Sequence, residues 1–269
     1  MALPEIINII LWGIIGTIFG SFANVVIYRV PRGKSVAYPP SACGSCGTPI
    51  KWYDNIPIFS YIILGGKCRN CHAPYSIRYM LVELIMGLLF AFAAFYFHSF
   101  LLTLFAAIYI FTLIVLFWID YEHYILPDII TIPFAILGLI IAVGLDLVFH
   151  SGYPFYNTST FQAIVGAAAG FGFFYGVAVV GQLVYKKEAM GGGDIKLVAA
   201  LGMWLGWKVL IVSLFISFAL GVVLYFALKS KFKDGLFPFG TALALSAIVS
   251  LFFGNNIIDW YMNLFPHRF

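Results

Sequence analysis

Long apolar runs alternate with short polar breaks along the whole chain. The runs lie near residues 6–28, 79–97, 101–119, 129–149, 161–184, 195–207, 209–228 and 237–255. A helix needs roughly 20 residues to cross the hydrocarbon layer of a bilayer. The sixth run is shorter than that and flanked by glycine, so its limits are open. None of the runs alternates with period two. Backbone polar groups in lipid must also find partners within their own segment, so the runs are helices and not barrel strands. The pattern therefore predicts an all-α polytopic membrane protein of about eight transmembrane helices. The first run lacks a basic leader and a small-residue cleavage site and is too long for a secretion signal, so it is expected to stay in the protein.

One sizeable polar segment, 29–78, separates the first two spans. The expected organisation is a first helix over 1–28, a polar module over 29–78, two helices over 79–119, five over 120–255 and a tail over 256–269. Composition agrees, because 62% hydrophobic and 10% charged residues leave too little polar surface for a soluble protein of 269 residues. Basic residues orient the chain. Arg29, Arg32, Lys34, Lys51, Lys67, Arg69 and Arg78 fall in the polar module. With eight spans, Lys186, Lys187, Lys229, Lys231 and Lys233 share its side, which the positive-inside rule makes cytoplasmic. The opposite side keeps Lys208 and Arg268, and Lys196 lies within the sixth span. Topology and anionic headgroups account for the net charge of +4, so no nucleic-acid partner is implied.

All four cysteines lie in the polar module, as Cys43-Gly44-Ser45-Cys46 and Cys68-Arg69-Asn70-Cys71. Paired C-x-x-C knuckles at this spacing suit a closed, structural tetrathiolate zinc site. Two disulfides are the competing reading, disfavoured on a reducing cytoplasmic side. His72 reads as a surface residue and not a fifth ligand. A module of about 50 residues is too small for an independent core, so a bound metal would supply much of its folding energy. The run from Asp54 to Leu64 is too short and interrupted for a span and suits a buried or membrane-surface piece beneath the metal.

Two acids stand at the edges of apolar runs. Asp120 closes Leu113-Ile114-Val115-Leu116-Phe117-Trp118-Ile119, and Asp194 follows Gly191-Gly192-Gly193. Ionisable groups bordering lipid are costly and therefore candidates for function. Two carboxyls sharing a proton are the working parts of an aspartic protease, one as base and one as acid. The bland alternative for Asp120 is a loop carboxylate just outside the lipid. The three glycines would let the backbone take positive φ, approach an extended peptide and offer it amide groups. A phosphate cradle is disfavoured by the acid that follows them. Glu122 and Asp128 read as structural or solvated, with Asp128 able to cap the next helix. Glu83 would pair with Arg78 or another helix. Asp146, His98 and His150 fall at outer helix ends, and Gly166, Gly170, Gly172 and Gly176 would permit close helix packing.

Taken together, these motifs resemble the type IV prepilin leader peptidases, membrane aspartic proteases of the GxGD type. The resemblance runs through Gly20-Ser21-Phe22-Ala23-Asn24-Val25-Val26-Ile27-Tyr28-Arg29, the two knuckles around Asp54-Asn55-Ile56-Pro57, and Arg78-Tyr79 with Leu81-Val82-Glu83. It continues through Asp120 to Leu126-Pro127-Asp128 and ends in Met190-Gly191-Gly192-Gly193-Asp194-Ile195-Lys196-Leu197. It implies that Asp120 and Asp194 are the catalytic pair and that Gly191, Gly192 and Gly193 hold substrate. Cys43, Cys46, Cys68 and Cys71 would bind Zn²⁺. The implied substrates are prepilins or pseudopilins of type IV pilus or type II secretion systems, cut after a leader glycine at the cytoplasmic face of the inner membrane. Members with four such cysteines then N-methylate the new terminus with S-adenosylmethionine, and Gly66, Lys67 and Glu83 are the candidate contributors here. No Rossmann fingerprint marks a donor site. An ion-coupled transporter and a zinc-organised scaffold are the rival readings; neither repeats nor midplane charges support the transporter.

Overall fold

The computed structural model describes residues 3–149, 159–186, 190–228 and 237–264. Lys187, Lys229, Lys231, Lys233, Arg268 and His150, used above for orientation and helix ends, lie outside the described residues. Eight α-helices are present among the described residues, with no named strand. They are α1 (Leu3–Arg29), α2 (Phe59–Ile63), α3 (Arg78–Phe97), α4 (Phe100–His123), α5 (Asp128–Phe149), α6 (Thr160–Tyr185), α7 (Gly192–Leu228) and α8 (Phe239–Asn263). All but α2 are long and apolar enough to span a bilayer, seven in total among the described residues. The difference from eight lies in α7. Gly206, at φ 69° and ψ 168°, interrupts it between the expected sixth and seventh spans, so one continuous element holds two helical segments.

Two helix limits differ from expectation for local reasons. The fourth helix runs one turn past 119 to His123, where Tyr124 takes φ 58° and its N–H closes on the Asp120 carbonyl at 2.8 Å. Asp120 is therefore a buried helical residue and not a loop carboxylate. The last helix continues to Asn263 through residues assigned to a tail.

The chain divides into two compact units, Met1–Val115 and Leu116–Phe269, with the boundary inside α4. In the first unit, α1 packs on α3 through a ladder of small residues. A Cβ at Gly16 would meet the Met86 carbonyl at 2.6 Å, and one at Gly20 would meet the Glu83 Cα at 2.6 Å. This G-x-x-x-G face lets the two backbones touch, which is how helices associate in lipid. One turn further along the same face, Asn24 donates to the Tyr79 carbonyl at 3.0 Å. Trp12 and Phe90 complete the buried seam.

The second unit uses the same device between α6 and α7. A Cβ at Gly166 would meet the Gly202 carbonyl at 2.8 Å, and one at Gly202 would meet the Gly166 carbonyl carbon at 2.4 Å. Gly170 is also packed, whereas Gly172 and Gly176 face open space, so the packing role holds for only two of the four expected glycines. Trp204 fits against Gly138 of α5 and donates its indole N–H to the Phe134 carbonyl at 2.8 Å. Between α7 and α8, Ser213 and Ser246 share a buried hydroxyl contact at 3.2 Å. At the other end of α5, Asp146 accepts the N–H of Thr160, which starts α6.

Candidate active site

Four segments of the second unit converge around Asp120. The eighth helix starts at Phe239 behind Pro238, a residue with no side-chain cap to offer, so its first N–H groups need an outside acceptor. Asp120 supplies it. Its Oδ2 accepts the Thr241 N–H at 2.9 Å, and the Gly240 amide bonds to the same carboxylate. The positive end of the α8 dipole thus faces this acid and fixes its rotamer. Asp194 lies in the first turn of α7, close enough for its charge to act on Asp120. Of the acids named from the sequence, these two are brought together; Glu122 is exposed nearby.

The glycines that frame Asp194 work differently from expectation. None of Gly191, Gly192 and Gly193 has a positive φ. Gly193 is there for space, since a Cβ would meet that of Leu126 at 2.9 Å, while Gly192 has open surroundings. The Asp194 N–H closes on the Gly191 carbonyl at 3.1 Å. The N–H groups of a first helical turn have no intrahelical i−4 acceptor. Leu126 also touches the Gly240 position, where a Cβ would come within 2.9 Å of its Cδ1 and 2.8 Å of Asp120 Oδ2. Asp128 is the first residue of α5 and clamps the Lys196 ammonium with both oxygens at 2.7 Å, tying the loop after Asp120 to the turn bearing Asp194.

Gly240 was invisible to the sequence reading, because nothing local distinguishes it from a packing glycine. The structure makes it a positioning residue. Gly240→Ala is expected to push the Asp120 carboxylate aside and lower kcat by about 100-fold, since misplacement of a reacting group by 1 Å costs that much. KM and the thermal unfolding midpoint should change little; a parallel collapse of both would mark a merely structural glycine.

The first unit holds the cysteines. Each knuckle is a tight hairpin, closed by Cys43 N–H to Thr48 O and by Cys68 N–H to Ala73 O, both 2.9 Å. Gly47 and His72 occupy equivalent positive-φ positions after the second cysteine of each, so His72 is a turn residue and no ligand. All four Sγ atoms lie within 4.8 Å of one another, with Cys43–Cys71 at 3.8 Å and Cys46–Cys68 at 4.0 Å. A Zn–S bond of about 2.3 Å gives a tetrahedral edge of about 3.8 Å, whereas a disulfide needs about 2.05 Å. The donor set fits a metal, and the thiols are free. Hydrogen bonding with the Thr48 side chain and backbone brings the Cys46 thiol down to about 6, and backbone amides of Cys71 and Asn70 also lower Cys68. Against a backbone bond from Ala73 that lowers it, burial and then the neighbouring thiols raise Cys71 to about 11. Arg69 grips Asp54 through both carboxylate oxygens at 2.6–3.0 Å and holds that carboxyl below its usual range.

The three residues suggested for methyl transfer are not brought together. Glu83 does not pair with Arg78; it accepts the Ile58 N–H at 2.7 Å and lines a cavity of about 460 Å³. Gly66, at φ 68°, stands behind Tyr61, which a Cβ would strike at 2.8 Å. Lys67 is exposed and contributes its backbone to a bridge with Pro74. The short α2 exposes Phe59, Ile62 and Ile63, so it is a surface piece and not a buried one.

The sequence resembles known proteins along most of its length. The sequence model of the bacterial peptidase A24 N-terminal domain matches residues 14–97. That of the type IV leader peptidase family matches residues 107–226, spanning both aspartates. The chain belongs to the type IV leader peptidase family. It is 35% identical to the prepilin leader peptidase/N-methyltransferase of Neisseria gonorrhoeae, over 93% of each chain. The Pseudomonas aeruginosa protein of the same name is 33% identical over 93% of this chain and 91% of its own. The Myxococcus xanthus protein is 41% identical over 78% of this chain and 60% of its own. No solved structure matches the chain. The family match ends at 226, short of the α8 amides that hold Asp120, so the family pattern alone does not point to Gly240 or Thr241.

Proposed function

We propose that this leader peptidase family member removes the leader of type IV prepilins or pseudopilins at the cytoplasmic face of the inner membrane and then N-methylates the new terminus. The observation that carries the peptidase half is the convergence of Asp120 and Asp194, with the α8 amides holding the first and a glycine turn presenting the second. Two neighbouring carboxyls titrate as a unit. The ionised one takes a proton from a water molecule as that water attacks the scissile carbonyl carbon. The protonated one donates to the carbonyl oxygen, and the tetrahedral intermediate then collapses with proton transfer to the leaving amine. The turn Gly191–Gly193 holds the leader extended, as an added strand with its amide donors, because a helical substrate would hide the bond. Asp128 and Lys196 fix the register of the two aspartate segments and take no part in proton transfer.

Cys43, Cys46, Cys68 and Cys71 hold a structural Zn²⁺, whose role is to fold the module and not to activate water, since four thiolates leave no open position. S-adenosylmethionine supplies an electrophilic methyl group when bound, and its site belongs to the first unit. The relatives' shared name supports both activities. A purified prepilin incubated with the enzyme and S-adenosylmethionine should lose its leader and gain one methyl group by mass. An intact prepilin after prolonged incubation with folded, zinc-loaded enzyme would sink the reading, and would leave the transporter and scaffold alternatives to be weighed.

A further inference from the structure

The cavity in the first unit is a built site. It is lined by the last turns of α1, the first knuckle, the segment before α2 and the start of α3, including Asn24, Tyr28, Tyr61, Tyr75 and Glu83. Its volume of about 460 Å³ is in the range that holds a nucleoside-sized molecule. Three observations mark the cavity as a ligand site, and two of them favour a ligand that presents a positively charged donor.

The first is Asn24. Only 3% of it is exposed, and its amide nitrogen is fully used, donating to the Gly20 and Tyr79 carbonyls at 3.2 and 3.0 Å. Those two bonds fix the orientation of the amide. Asn24 lines the cavity, and its Oδ1 is buried with no hydrogen-bond partner. A buried acceptor left unpaired carries an unrecovered desolvation cost, which a donor on a bound ligand would remove.

The second is Glu83, one turn from Asn24's partner Tyr79 in the same seam and buried on the same cavity. Its Oε2 takes the Ile58 N–H, and Ser21 also bonds to the carboxylate. These are neutral donors, so no cation among its described contacts balances the acid. The third is Ile58 itself, held at φ 65° and ψ −53°. A β-branched residue there is strained, and such strain persists where surrounding contacts over-determine it, often at ligand sites. Here the strain aims an amide at Glu83 and anchors the metal module to α3.

We propose that this cavity is the methyl-donor site, with Asn24 and the Glu83 carboxylate receiving the α-ammonium group of S-adenosylmethionine and the tyrosines flanking its adenosine. The inference rests on the methyl-transfer half of the function proposed above. Gly66 then acts indirectly, by leaving Tyr61 room to stand at the cavity wall.

Binding separates this inference from the reading it rests on. Full-length, zinc-loaded enzyme in detergent is titrated with tritiated S-adenosylmethionine, and ultraviolet cross-linking followed by peptide mapping locates the label. Wild type should bind saturably, with label on peptides covering residues 21–28, 54–61 or 75–83. Glu83→Gln keeps an acceptor for Ile58 and removes the charge; it should raise Kd roughly tenfold or more. Asn24→Leu should do the same, and zinc content with gel-filtration profile reports whether either variant has folded. If label maps elsewhere, or if folded Glu83→Gln binds as wild type does, the cavity is not the donor site, though methyl transfer stands. If wild type neither binds the donor nor methylates mature pilin, the bifunctional reading falls and takes this inference with it.

Discussion

Asp120→Asn and Asp194→Asn should each lower leader cleavage by roughly 10²–10⁴-fold or more, the span over which a positioned acid or base contributes. The amide keeps the shape of the side chain but cannot exchange a proton with water. At residue 120 the asparagine oxygen still accepts the Thr241 N–H, so α8 keeps its outside cap and the fold should survive. Glu122→Gln is the matched control, because that carboxylate is exposed. The decisive comparison supplies mature, unmethylated pilin and labelled S-adenosylmethionine to the Asp120→Asn enzyme. Transfer at the wild-type rate is expected, since Asp120 belongs to one compact unit and the cysteine module with its cavity to the other. A folded Asp120→Asn enzyme that cleaves prepilin normally would overturn the dyad, and one that fails to transfer label would show that the two reactions share this acid.

Loss of the metal should be nearly as severe for the other half. Cys43→Ser or Cys71→Ser removes one vertex of the tetrathiolate, and the remaining three thiolates bind zinc far more weakly. The module has few alternatives: its described β-type backbone pairing lies within each knuckle hairpin, and Trp52, Phe59, Ile62 and Ile63 are exposed. Metal binding in such a module is folding free energy, on the order of 10–16 kcal/mol for structural zinc. Each variant should lose its one zinc per chain, become sensitive to proteases between residues 33 and 76, and lose methyl transfer by at least about 100-fold. Acid should release the metal from the wild type as well, because protons compete for the thiolates as pH falls. Metal analysis that finds no zinc in chelator-free protein, with the thiols oxidised in pairs, would favour disulfides instead.

Much of this architecture was legible because lipid imposes strong rules. The apolar runs marked every long helix among the described residues, and four cysteines at knuckle spacing marked the thiol cluster. The two acids stood out because charge next to lipid is rare. The unread parts depend on partners far away in sequence. Thr241 caps nothing visible from its own neighbourhood, yet its N–H meets a carboxylate 121 positions earlier. The ladder Gly16, Gly20 and Asn24 is spaced as one helix face, but only the facing backbone of α3 shows why the first two must be glycine. The φ of 65° at Ile58 contradicts local preference and follows from the contacts around it. Gly191–Gly193 went the other way, since a run of glycines suggests freedom and the structure uses one of them for closeness.

The break at Gly206 bears on how a hydrolase at the edge of lipid obtains its other reactant. From Gly192 to the break, α7 is only about 20 Å long at about 1.5 Å per residue. The hydrocarbon layer is about 30 Å thick. Trp207 and Lys208, the latter's ammonium 5.7 Å from the indole, are the kind of pair that settles at an interface. If they mark the outer headgroups, the opposite end of this segment stops well short of the inner ones. The acid at that end then lies at a depth where acyl chains would otherwise be, and the bilayer must thin or hydrate around it. A shortened helix is thus a means of drawing water down to that acid.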